Sequence, residues 1–245
     1  MLLDLGNPLF WLSAFIAITL TGISKSGFAA GGGALAVPLL ALWMPVSQSV
    51  FLMLPIFLIM DVKTIQYYRR HANWAILKGL LPAAMVGIVI GGLLLNKLDD
   101  QVLRLFLGTL CITFALWQQL APVLGSIPGG SYLWGSLAGF TSTVIHAGGP
   151  PLNMYMIAIN LPKLVWLATS GIFFGVINMT KLIPYLSSGQ WQLTTFYYSL
   201  MLFPIAWFGT WVGKQIQGHI SQSQFLTYCR YLLFLSGSLL IYNAF

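Results

Sequence analysis

Lys25 sits between Ser24 and Ser26 inside the apolar stretch Leu9–Met44, just ahead of the triplet Gly31, Gly32 and Gly33. An ammonium group in such surroundings is costly unless water, an anion or a carboxylate meets it, so residue type and place point to anion binding. The glycines point the same way. A continuous helix through GISKSGFAAGGGALAVP would lose roughly 1 kcal/mol per glycine against alanine, which favours a break. The freed backbone N–H groups and the positive end of the following helix would add anion donors. In hydrocarbon, broken backbone survives only against protein or water, so the stretch is expected to line a cavity. The competing reading makes the break a short cytoplasmic turn and Lys25 a topology signal.

A second constellation, TSTVIHAGGPPLN, places Thr141, Ser142, Thr143 and His146 ahead of Gly148 and Gly149, with Pro150 and Pro151 suited to starting a new helix. These residues and Asn153, one turn further on, would offer neutral hydrogen-bond donors opposite Lys25. His146 is also a candidate proton carrier, because imidazole titrates near neutral pH, or a hydrogen-bonded structural residue. A third pattern is Asp61, Thr64 and Tyr68, which share one helix face, and its counterpart Asn178, Lys181 and Tyr185. Asp61 is the one acid within an apolar segment and needs a partner, for which Lys25 and Lys181 are the candidates. Lys63 is expected to snorkel to the interface, and Lys181 either to snorkel or to join the cavity. Lys97, Asp99, Asp100 and Arg104 read as a solvated turn leading into a helix start.

The elements that must hold these groups are membrane helices. Of 245 residues, 58% are hydrophobic and 6% charged, and the mean hydropathy is +0.85; no soluble domain tolerates such a surface. At roughly 20 residues per crossing, the chain allows about eight to ten spans in a single membrane domain. No removable signal peptide is expected at the N-terminus. Lys and Arg number 11 against 4 acids, scattered without the basic stripe that nucleic acid would require. Cys111 and Cys229 lie in apolar segments and read as packing residues. No metal-ligand cluster and no cofactor motif is present.

Apolar segments run over 9–23, 29–44, 47–68, 75–96 and 102–121, and again over 131–145, 150–161, 164–187, 192–215 and 223–243. In each set of five the first two are short, which suggests a broken or re-entrant pair followed by three ordinary helices. An offset of 117 superposes Gly22 on Gly139, Gly31 and Gly32 on Gly148 and Gly149, Pro45 on Pro162, Tyr68 on Tyr185 and Trp74 on Trp191. The expectation is one domain of two repeats, about 9–121 and 131–243, with a linker at 122–130. The basic loop YRRHANW has the uncharged counterpart LSSGQW, so the repeats should be inverted, with Arg69, Arg70, Lys78, Lys163 and Lys214 in the cytoplasm and both termini outside.

The chain resembles the TauE/SafE family of sulfite exporters and sulfonate permeases. The matching stretches are GISKSGFAAGGGALAVPLLAL at 22–42, YYRRHANWAILKGLLPAAMVGIVIGGLL at 67–94, LRLFLGTL at 103–110 and GGPPLNMY at 148–155. The resemblance implies a multi-spanning carrier of small sulfur-containing anions in the bacterial or archaeal cytoplasmic (inner) membrane. It puts Lys25 and Gly31–Gly33 on the substrate path, with Thr141–Thr143, Gly148 and Gly149 on its pseudo-symmetric partner. FAAGGG departs from the family in carrying alanines where glycine is frequent, which would stiffen the break.

The expected function is secondary transport of sulfite or organosulfonates such as sulfoacetate by alternating access; the alternative is a passive anion channel. With no nucleotide-binding loop, energy must come from an ion gradient or the membrane potential, and a proton carried by Asp61 or His146 is the candidate coupling ion. The chain holds no Glu and no H-E-x-x-H, so no enzyme is expected. Small-residue faces allow a homo-oligomer.

Overall fold

A computed structural model describes residues 7–28, 33–95, 97–117, 127, 129–219 and 221–245. Among these are ten α-helices: α1 Pro8–Ile23, α2 Gly33–Leu40, α3 Val46–Tyr68, α4 Trp74–Leu94, α5 Asp100–Trp117, α6 Gly130–Ile145, α7 Gly149–Ala158, α8 Lys163–Ser187, α9 Leu193–Ile216 and α10 Gln222–Tyr242. Four stretches are long and apolar enough to cross a membrane unaided: Pro8–Phe28, Val46–His71, Trp74–Leu94 and Lys163–Ser187. The expected all-helical polytopic class stands. Gly31, Gly32 and residues 122–126 and 128 of the linker 122–130 lie outside the described residues.

Local signals set the ends. Asn7 accepts from Leu9 N to cap α1 ahead of Pro8, and Asn73 caps α4 by accepting from Ile76 N. Helical backbone continues past residue 23, the expected end of the first apolar segment. α1 runs straight into a π-helical turn, Ser24–Phe28, so Lys25 lies within helical backbone. The short helices α2 and α7, eight and ten residues long, rise only about 12 and 15 Å at 1.5 Å per residue, half of a bilayer core.

α3 and α8 pack antiparallel at the centre, as the contacts of Thr64 with Gly171 and of Asp61 with both Gly175 and Asn178 show. α9 flanks α3, and α4 flanks α8. α1 lies on α9 and α6 on α4, each pair so close that a Cβ on Gly22 would strike the Gly209 backbone and one on Gly139 the Ala84 backbone. α5 and α10 form an outer pair.

One sequence expectation is corrected here. Arg104 and Asp100 do not form a merely solvated turn. Arg104 donates to Ala41 O at 2.7 Å and Met44 O at 3.1 Å, closing the end of α2, while Asp100 accepts from Val46 N, the first residue of α3, and from Arg104 Nε, both at 2.6 Å. The pair staples the α2–α3 corner, supplying from another helix the partners that helix termini lack. The expected helix start does hold, because Asp99 accepts from Val102 N at 2.8 Å.

Candidate functional site

Where the two breaks approach the central helices, polar side chains gather in a core that is otherwise apolar. Lys25 Nζ pairs with Asp61 Oδ1 and stands over the rings of Phe57 at 4.7 Å and Phe174 at 5.5 Å. The other carboxylate oxygen accepts from Asn178 Nδ2 at 2.5 Å. Asp61 and Asn178 occupy corresponding positions on α3 and α8, and so do Phe57 and Phe174. The ion pair is nearly sealed, with side-chain exposures of 6% and 2%. A buried pair of this kind holds only while both members stay and their remaining hydrogen-bond sites are met.

Lys181 anchors the second cluster. Its Nζ donates to Ser142 O at 3.0 Å and Ser142 Oγ at 2.9 Å, and lies 2.8 Å from His146 Nδ1. His146 Nε2 lies 2.9 Å from Val50 O. A carbonyl can only accept, so Nε2 carries hydrogen, Nδ1 accepts from Lys181, and the imidazole is neutral. His146 ends α6 in the left-handed region at φ 55°, a conformation that a buried non-glycine residue keeps only where its surroundings enforce it.

Lys25 borders two small cavities of about 10 Å³ each, room for about one water molecule. One is bounded also by Ser142, His146, Asn178 and by Gly149 at the start of α7. The other is bounded also by Ser24, Asp61, Thr64 and Ser170.

The remaining expected residues go elsewhere. Ser26 Oγ donates to Gly22 O and Thr210 O, Thr141 Oγ1 to Leu137 O and Ala147 O, and Thr143 Oγ1 to Gly139 O, so these hydroxyls serve backbone. Gly148 sits where a Cβ would meet Ala138 O and Ser142 Cβ, a packing constraint. Asn153 Oδ1 is buried without a hydrogen-bond partner among the described residues and borders neither cavity. Gly33 opens α2. Lys63 lies over the Trp207 ring at 3.3 Å, away from the cluster.

Sequence reasoning missed Phe57, Phe174 and Ser170. The two rings could have been found, since the offset that relates Asp61 to Asn178 relates them too. Ser170 has Met53 as its counterpart, so the repeat gives no hint of it.

Ten helices among the described residues, four of them able to span a bilayer, closed around a buried charged cluster, define a multi-spanning membrane protein. Residues 14–240 match the sulfite exporter TauE/SafE family, and the chain belongs to that family. Neither the curated proteins nor the solved structures compared with it gave a match.

Proposed function

We propose that this chain is a secondary transporter that carries small sulfur oxyanions, sulfite or organosulfonates such as sulfoacetate, by alternating access between two inverted repeats. The observation that carries the reading is Lys25, a cation held at the border of two cavities in the protein's interior. With Lys181 and Asp61 nearby, the cluster's formal charge is +1, suited to a small anion. Gly149 adds the positive end of α7. Substrate-binding roles are assigned to Lys25, Ser142, Asn178 and Gly149, with His146 forming part of the wall and Lys181 acting through the Ser142 and His146 contacts it makes.

The repeat reading, 9–121 against 131–243, rests on paired contacts. Tyr68 OH donates to Ser26 O at 2.7 Å and Tyr185 OH to Thr143 O at 2.6 Å, residues that correspond one to one. The antiparallel packing of α3 on α8 supports inversion. The topology with its basic end in the cytoplasm is supported by contacts that gather Lys163 with Gln217, Lys214 with Tyr67 and Asn73 with Thr169 at one end of the molecule.

A thermal-shift panel of sulfite, thiosulfate, sulfoacetate, taurine, sulfate and carboxylates on purified protein tests the assignment. The account expects sulfur oxyanions to stabilise the wild type and Lys25→Ala to abolish every shift. Undiminished shifts in that variant remove Lys25 from the site.

A further inference from the structure

The two cavities beside Lys25 differ in chemistry. The one at Ser142, His146, Asn178 and Gly149 offers N–H donors and a helix N-terminus, and it is the anion site proposed above. The polar wall of the other, apart from Lys25, is oxygen: the Asp61 carboxylate and the hydroxyls of Ser24, Thr64 and Ser170. Among the described residues, Ser24 Oγ and Ser170 Oγ have no hydrogen-bond partner, although the two residues are 0% and 8% exposed. Thr64 Oγ1 donates to Met60 O at 2.9 Å, which leaves its lone pairs to accept. A hydroxyl sealed away from water without a partner is costly, and two residues that carry one line this same cavity, which marks a place where something polar binds.

A second anion is a poor occupant, because the Asp61 carboxylate forms part of the wall. A carboxylate with hydroxyl oxygens is instead the ligand set of a hard cation. Charge counting sets its valence. An anion arriving in the first cavity draws the Lys25 ammonium from Asp61, and a buried carboxylate left alone is strongly unfavourable. One monovalent cation in the second cavity restores its countercharge and, for a singly charged anion such as hydrogensulfite, leaves the cluster's net charge unchanged when both sites are filled. The Ser24–Phe28 π-turn that carries Lys25 is a backbone form that recurs at functional sites.

We propose that Ser24, Asp61, Thr64 and Ser170 form a binding site for a small monovalent cation of the sodium type, filled as the substrate anion draws Lys25 off Asp61, so that anion and cation move together. This rests on the anion-carrier reading. A proton on Asp61 would satisfy the charge but give the oxygens of Ser24 and Ser170 nothing to coordinate.

The test uses the full chain in proteoliposomes, with labelled sulfite as the probe and the membrane potential clamped. Uptake is measured in sodium against N-methylglucamine at fixed pH, and counterflow serves as the control for carrier activity. The expected result is saturable sodium dependence. In Ser170→Ala, and separately in Ser24→Ala, the half-saturating sodium concentration should rise about tenfold, the loss of one ligand among several, with uptake at saturating sodium preserved. Uptake that ignores sodium or follows only a proton gradient, while counterflow stays intact, overturns the cation site and leaves the carrier standing. Absence of sulfite counterflow in both salts overturns the carrier reading and this proposal with it.

Discussion

The two halves hold their breaks in the same way and equip them differently. In the first half Tyr68 clamps the Ser26 carbonyl, Ser26 Oγ returns to Gly22 O, and Phe57 faces the cluster. In the second half Tyr185 clamps Thr143, Thr143 Oγ1 returns to Gly139 O, and Phe174 faces the same cluster. Each contact recurs at corresponding positions. The charges do not. The first half puts its cation on the broken helix at Lys25 and an acid on the long helix at Asp61; the second has Ser142 and Asn178 there, and its cation has moved to Lys181, opposite Thr64. The shared contacts are scaffold, and the divergent ones set the charge of the interior.

The sharpest way to break this comparison is to treat the two broken helices as equivalent. Lys25→Ala leaves the Asp61 carboxylate buried and unpaired and should cost about 3–5 kcal/mol of stability, whereas Ser142→Ala, which removes one of several acceptors from Lys181, should cost about 1 kcal/mol. Thermal unfolding in detergent measures both; equal losses would mean that the halves share the load. Next in size is Gly139→Ala. Its new methyl would drive into the Ala84 backbone and separate α6 from α4, with a cost on the scale of overpacking, about 1–3 kcal/mol. Gly22→Ala should cost somewhat less within the same range, because its methyl would lie 2.8 Å from the Gly209 backbone against 2.1 Å for Gly139 and Ala84 O. A loss confined to one variant would show that only one of the two crossings is tight. The smallest effect belongs to the clamps. Tyr68→Phe and Tyr185→Phe each remove a hydroxyl donor to a buried carbonyl and should each cost about 1 kcal/mol. The Tyr68 hydroxyl also lies 3.2 Å from Gln217 Oε1, a second acceptor that loses its donor in the same variant.

What the sequence revealed follows from what periodicity carries. The helical class was legible from hydropathy, and the need of Asp61 for a cation was legible from the cost of a lone carboxylate in an apolar segment; the structure selects Lys25 from the two candidates. The Lys181–His146–Ser142 cluster joins residues of two helices, and spacing along a helix describes a face without saying what the face meets. Arg104 escaped for the same reason. Its acceptors at Ala41 and Met44 belong to the end of another helix, and nothing local to α5 signals them. The end of the first helical stretch was not legible to the residue, because glycine disfavours a helix without dictating where it ends, and the π-turn carries helical backbone through Phe28.

The most direct test of the central claim is counterflow of labelled sulfite in proteoliposomes carrying the wild type, Ser142→Ala, or the double variant Lys25→Ala/Asp61→Ala, which removes the ion pair without leaving a lone buried charge. The account predicts saturable counterflow in the wild type, reduced counterflow in Ser142→Ala, and none in a folded double variant. Wild-type counterflow in the double variant would contradict it.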